Sequence, residues 1–307
     1  MTLLLLLIVA TVAAGAVAAL AWRWAAPGKP ATGAARRAGA AIGRHSRGRG
    51  ALAGRLDPEV ATGLALTLAL VLIVGGGLLL AVLAYLIRGD TQLVRLDESV
   101  ANWGDRHGSP FSKDALNVIT HLGEPTVVVV LAALLAVAET LRTRSRWVVP
   151  FVLVVVAGNG ILTTTVKHLA DRVRPAVNPV AETLGPSFPS GHSSWSAAFF
   201  AAAALLLSRG RGRRERAAIA GIAAGLAVTV AGSRVLLSVH WLSDVIAGLA
   251  LGTAWFAICA IAFGGRLLRF GAPAETAASA ADAAAQPAPR PERVATRGAP
   301  APPPGHA

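Results

Sequence analysis

The sequence predicts an all-α protein, a multi-pass bundle of membrane helices, and three observations carry that prediction. Hydrophobic residues make up 54% of the 307 positions and the mean hydropathy is +0.58, too apolar for an ordinary soluble domain. The apolar residues fall in long runs, each near the length needed to cross a hydrocarbon core of about 30 Å at about 1.5 Å per residue. Finally, 29 Lys+Arg stand against 16 Asp+Glu, and the arginines sit between the runs, where the positive-inside rule puts them. That placement assigns the excess charge to the bilayer and sets aside a nucleic-acid partner.

Seven runs can be marked, near residues 2 to 21, 59 to 87, 125 to 138, 148 to 166, 193 to 208, 219 to 237 and 245 to 263. The first, within residues 1–22, reads as a transmembrane anchor with its N-terminus outside. No positive charge precedes Leu3, as a signal peptide would require, and cleavage would leave the arginine-rich linker 23–58 on the outer side. The third and fifth runs are short and borrow polar residues at their ends. Basic islands at 23 to 55, at Arg142, Arg144 and Arg146, in "SRGRGRRERA", and at Arg266 and Arg269 belong to the cytoplasmic side. The loops 88–124, 167–192 and 238–244 then fall outside. The first of these is acidic (Asp90, Asp97, Glu98, Asp105, Asp114, Glu124) and carries an amphipathic pattern at Leu96, Val100 and Trp103, expected to lie along the interface. Residues 264–307 read as a disordered, Ala/Pro-rich cytoplasmic tail with too few large apolar side chains to fold. The single cysteine, Cys259, excludes an intramolecular disulfide and a thiolate metal cluster.

The spans and arginine turns leave three polar clusters, all on the outer side. In "KHLADRVRP", Lys167 and Arg174 are seven residues apart and share a face if the fourth helix continues until Pro175. In "PSGHSS", Ser190 and Gly191 open the fifth helix. In "SRVLLSVHWLSD", His240 and Asp244 are four apart, so a carboxylate can hold one imidazole nitrogen while the other faces a cavity. A phosphoryl group suits this set. Guanidinium forks and an ammonium match its oxygens, helix N-terminal amides add donors, Gly191 allows close backbone approach and the Ser190 hydroxyl can donate. Two histidines allow a two-step displacement, and the one backed by a carboxylate is the better nucleophile. His240 is therefore expected to attack, His192 to act as the acid, and Asp244 to orient His240. His121, His168, Asp171 and Arg172 lie near the same face and read as solvated or supporting residues. Trp241 reads as an interface marker, and Asn159 as an interhelical hydrogen-bonding residue.

The spacing Lys167, six residues, Arg174-Pro175; Pro189-Ser190-Gly191-His192; and Ser233-Arg234, five residues, His240, three residues, Asp244 resembles the three signature motifs of the type 2 phosphatidic acid phosphatase (PAP2) superfamily, with no departure at any signature position. The resemblance covers residues 59–263 and implies a six-helix core, to which the first helix is an addition. It also implies hydrolysis of phosphomonoesters or diphosphates through a phosphohistidine, without metal or other cofactor, and phosphate binding by Lys167, Arg174, Ser190, Gly191, His192 and Arg234. The expected partner is a lipid phosphate in the bilayer: undecaprenyl diphosphate, phosphatidic acid or phosphatidylglycerophosphate. A lipid phosphotransferase would use the same residues with an alcohol as acceptor. Vanadate haloperoxidases share the anion site but are soluble, and a non-catalytic scaffold or transporter would be expected to lose the paired histidines.

Overall fold

The computed structural model describes residues 1–24, 62–89, 91–176 and 185–267. The basic linker expected over 23–58 lies almost wholly outside the described residues, as does the expected tail beyond 267. The described chain is helical and contains no strand: α1 (Thr2–Trp24), α2 (Thr62–Leu86), α3 (Gln92–His107), α4 (Pro110–Thr120), a 3-10 turn (His121–Gly123), α5 (Pro125–Thr143), α6 (Val148–Ala170), α7 (Gly191–Leu207), α8 (Arg213–Leu236) and α9 (Leu242–Leu267). Each of the seven apolar runs is a helix. Six are long and apolar enough to cross a membrane, and α7 is shorter at 17 residues.

Helix α7 is the axle of the bundle, packing against α5, α6, α8 and α9, while α2 covers the far side of α9. Its small residues allow this: Ala197, Ala198 and Ala202 are buried. On α9, a Cβ at Gly248 would stand 2.5 Å from the Ser190 carbonyl oxygen, so only glycine admits this closeness of approach. Around α7, Val128, Phe151, Val155, Leu206 and Val230 form a fully buried core. Polar side chains inside it bond to one another: the Ser194 hydroxyl donates to Asn159 Oδ1 at 2.8 Å, and the Thr163 hydroxyl donates to Ser194 Oγ at 3.1 Å, while Asn159 Nδ2 is buried without a partner among the described residues. Asn159 thus joins α6 to α7 as the sequence suggests. Cys259 is packed in the same core.

Residues 88–124 contain two amphipathic helices. Thr91 caps α3, accepting from Val94 N–H, and Ser109 caps α4, accepting from Ser112 N–H with Pro110 in the first turn. The expected interfacial stripe is only partly right. Leu96 is exposed, but Val100 and Trp103 pack inward, and the buried face of α3 is Asp97, Ala101 and Gly104. A carboxylate sits on that face because it finds donors there.

Helix direction separates the polar ends of the bundle. Arg142, in the last turn of α5, donates to the Leu206 carbonyl in the last turn of α7 and to the Arg209 carbonyl just beyond it, and Arg213 donates to the Trp22 carbonyl at 2.6 Å and stacks over its ring. At the opposite end, Gly123 packs on His192 and Arg234 reaches Thr120. The basic turns and the three polar clusters therefore lie a helix length apart, about 28 Å for 19 residues.

Helix α1 is docked along α8. Leu6 fits the notch at Gly232, and Ala14 and Ala18 face Gly221, where a Cβ would come within 2.7 Å of the Ala14 carbonyl oxygen. Gly221→Leu is expected to cost about 1–3 kcal/mol by overpacking and to lower the thermal midpoint in detergent. Gly15→Leu, with nothing within 4 Å of its Cβ position, should leave the midpoint unchanged.

Candidate active site

The site is assembled where α6, α7, α8 and α9 begin or end. Helix α6 stops at Ala170 because Asp171 adopts a left-handed conformation (φ 42°, ψ 43°) and returns its N–H to the Lys167 carbonyl. Lys167 and Arg174 consequently do not share a helical face, as the spacing had suggested. They meet because the chain folds back. Ser187 N–H donates to the Arg172 carbonyl at 2.7 Å, its hydroxyl donates to the Val173 carbonyl, and both cations clasp the returning turn. Lys167 Nζ donates to the Pro186 carbonyl at 2.5 Å, and Arg174 Nε to the Gly185 carbonyl at 2.8 Å.

That turn delivers the start of α7. Phe188 is fully buried against Leu83 and Ala247, and Ser190 N–H donates to the Asp244 carbonyl at 2.9 Å. Ser190 is the N-cap: its hydroxyl oxygen accepts from the Ser193 N–H and hydroxyl. It is fully buried, and a hydroxyl that accepts two bonds still has one hydrogen to donate. Gly191 and His192 follow, in the first turn, where amides lack intrahelical partners. A Cβ on Gly191 would meet only the Lys167 Cε, at 3.9 Å, so the glycine faces open space beside Lys167 and not the packed core.

Helix α8 contributes Arg234 from its last turn. Val239 and His240 N–H both donate to the Arg234 carbonyl, and Ser238, at φ 53°, turns the chain toward α9. Arg234 Nη1 donates to Thr120 Oγ1 at 3.1 Å, while its Nε is buried without a hydrogen-bond partner among the described residues. Such an orphaned donor fits an oxyanion.

His240 lies at the centre, 2% exposed, with Asp244 fully buried and Arg174 and Arg234 at 7% and 8%. Arg174 Nη1 donates both to the Val239 carbonyl at 2.8 Å and to His240 Nε2 at 3.1 Å. A guanidinium can only donate, so Nε2 is the acceptor and Nδ1 carries the proton, facing Asp244 Oδ2 at 3.3 Å. Burial, then the nearby charges of Arg174, Arg234 and Lys167, hold the imidazole well below its ordinary 6.5. His240 is neutral at physiological pH, with the lone pair of Nε2 turned toward the cations.

Asp244 is held in turn. Its Oδ2 accepts from Trp241 N–H at 3.0 Å and its Oδ1 from Arg172 Nη1 at 2.7 Å. Arg172 was placed by sequence among solvated or supporting residues, and it is far from solvated: it joins Asp244 to Asp97, at 2.9 Å, and stacks over Trp241. Trp241 is pinned as well, its indole N–H donating to the Val173 carbonyl. His121, by contrast, is exposed and paired with Glu124, and His168 and Asp171 are exposed. Asp97 and Thr120 escaped sequence reasoning because they lie more than a hundred residues from their partners on α8 and α9. The available signal was a carboxylate at the edge of an amphipathic stripe.

The architecture is thus that of a multi-pass membrane protein with a buried cluster of cations around a histidine at one end of its helices. The PAP2 superfamily sequence model matches residues 147–267, which hold all the signature residues. Phosphatidylglycerophosphatase B of Bacillus subtilis is 30% identical over 165 residues, covering 52% of this chain and 79% of that protein. Decaprenylphosphoryl-5-phosphoribose phosphatase of Mycobacterium tuberculosis is 33% identical, over 48% of this chain and 78% of that protein. A lipid A 1-phosphatase of Rhizobium johnstonii is 38% identical, over 39% of this chain but only 51% of its own length. The crystal structure of a transmembrane PAP2-type phosphatidylglycerolphosphate phosphatase from Bacillus subtilis aligns with a TM-score of 0.60 at 27% identity, covering 65% of this chain and 99% of that one. The chain belongs to the PAP2 superfamily.

Titrated by NMR in histidine-labelled protein, the His240 imidazole should keep its neutral, Nδ1-protonated signature to lower pH than an ordinary histidine, because burial and the nearby cations hold it well below 6.5. That signal should vanish in His240→Ala.

Proposed function

We propose that the protein is a lipid phosphatase that forms a covalent phosphohistidine on His240, at the outer face of the membrane and without a metal ion. The observation that supports this most is the orientation of His240: Nδ1 is held by Asp244 and Nε2 faces Arg174, with Lys167 and Arg234 close by. Nucleophile, orienting carboxylate and charge for the phosphoryl oxygens occur together.

Arg174, Arg234 and Lys167, with the first amides of α7, hold the phosphoryl oxygens, and the Ser190 hydroxyl adds a donor. The Nε2 lone pair of His240 attacks phosphorus. A P–N bond forms, the P–O bond to the leaving group breaks, and His192 gives its proton to the departing oxygen. Asp244 balances the positive charge that the imidazole acquires. Water, losing a proton to His192, then attacks phosphorus, the P–N bond breaks, and phosphate leaves with His240 neutral again. The three side-chain cations neutralise charge that a divalent ion supplies in other phosphoryl-transfer sites.

The outer location rests on the separation of charge along the bundle: the turns holding Arg142, Arg144, Arg146, Arg209, Arg211 and Arg213 lie at the end away from His240. A lipid substrate is supported by the residues alternating with the cations. Leu169 and Val173 are 73% and 79% exposed beside Lys167 and Arg174, a surface suited to acyl or isoprenyl chains while the phosphate enters between the arginines. The functions of the relatives point to phosphatidylglycerophosphate, a polyprenyl phosphate derivative or a lipid A phosphate as the class.

The test is phosphate release from these lipids, together with phosphatidic acid and undecaprenyl diphosphate, by purified protein in detergent with chelator present. Release should persist with chelator. It should fall by about 10³-fold or more in His240→Ala and by about 10²- to 10⁴-fold in His192→Ala. Loss on chelation would overturn the metal-free chemistry, and undiminished turnover in His240→Ala would sink the nucleophile assignment.

A further inference from the structure

Behind the imidazole and its carboxylate lies a chain of buried charge that the proposed chemistry does not yet use. Asp97, on α3, is fully buried and accepts three hydrogen bonds from two residues. Oδ1 takes the Ser243 N–H at 2.9 Å, and Oδ2 takes the Ser243 hydroxyl at 2.5 Å and Arg172 Nη2 at 2.9 Å. Arg172 turns its other nitrogen, Nη1, to Asp244 Oδ1 and to Ser243 Oγ, both at 2.7 Å. One guanidinium thus bridges two fully buried carboxylates, with its side chain 11% exposed and the Trp241 ring closing over it.

We propose that Asp97 and Arg172 form a positioning pair that fixes Asp244, and through it the ring of His240, in the attacking orientation; this rests on the phosphohistidine reading above. Asp244 has two oxygens and two tasks: Oδ2 faces His240 Nδ1 and caps α9 through Trp241 N–H, and Oδ1 is taken by Arg172. A carboxylate held at both oxygens cannot rotate, so the tautomer and tilt of His240 are set before substrate arrives. Asp97 does the same for Arg172, and because it also binds Ser243 N–H in the first turn of α9, it locks the helix that carries Asp244. Charge follows the same logic. Asp244 faces Arg172 on one side and the cation-ringed His240 on the other, and Asp97 supplies the second negative charge, without which Arg172 would be shared between Asp244 and water.

Neither residue touches the phosphoryl site, so their removal should act on turnover and not on substrate binding. The experiment uses full-length protein in detergent and phosphatidylglycerophosphate, or whichever lipid of the panel above the wild type turns over fastest. Asp97→Asn keeps shape and removes charge; Arg172→Gln removes the bridge; Arg172→Lys keeps charge without the fork. We expect kcat to fall about 30-fold or more in Asp97→Asn and Arg172→Gln, with KM within about 3-fold of wild type and partial recovery in Arg172→Lys. Placing Arg172→Gln on top of Asp244→Asn should cost less than about 3-fold more, since both act through one carboxylate. Unchanged kcat in folded variants, a rise in KM with kcat kept, or fully multiplicative losses with Asp244→Asn would overturn the pair while leaving the phosphatase reading intact. If Asp97→Asn does not yield folded protein, Ser243→Ala, which removes one hydroxyl from the same chain, should lower kcat with KM kept, and an unchanged kcat there would count against the pair. Full activity in His240→Ala would instead remove the reading on which the pair depends.

Discussion

Mutual repulsion among Lys167, Arg174 and Arg234 is the constraint that shapes the rest of the molecule. Two like charges at about 4 Å repel by roughly 4 kcal/mol even at an effective dielectric near 20, and here three cations surround a buried imidazole. They are held together by what they donate to. Lys167 and Arg174 are tied to the carbonyls of the 185–187 turn, Arg174 also to Val239, and Arg234 to Thr120. The fold supplies acceptors for each of these cations. In the proposed chemistry a phosphoryl group completes the balance of charge, so that binding and catalysis would share one set of residues.

The carboxylates obey the same rule from behind. Asp244 and Asp97 are both fully buried, and neither would be tolerated there without donors. Arg172, Ser243 and Trp241 provide them, so the carboxylates behind His240 are bonded on both oxygens. Helix α3 gains a structural reason for its buried acidic face, and α9 gains a fixed first turn.

Much of this was legible in the sequence, and the limits are physical. The seven apolar helices follow from runs whose length matches the bilayer, and the gathering of Lys167, His192, Arg234 and His240 at one end follows from helix direction and arginine placement. The i, i+4 contact of His240 with Asp244 is local and was readable. The convergence of Lys167 with Arg174 was right in outcome and wrong in cause, because a left-handed residue at Asp171 ends α6 before Arg174, and no spacing rule reports that. In the sequence Asp97 reads only as one acid of the 88–124 loop, since its partners Arg172 and Ser243 are 75 and 146 residues away and only the packed bundle brings them together. The docking of α1 along α8 left a faint trace, small residues Ala14 and Ala18 opposite Gly221 and Gly225, which reads as a packing face only once the partner is known.

The proposed chemistry turns on a bond between His240 Nε2 and phosphorus. It is tested most directly by rapid quenching of His192→Ala protein during turnover of a lipid labelled with ³²P in the phosphate, followed by peptide mapping under basic conditions that preserve phosphohistidine. Label is expected on the peptide containing His240, and it should be lost in acid. Label on any other residue, or label on this peptide that survives acid, would contradict that bond.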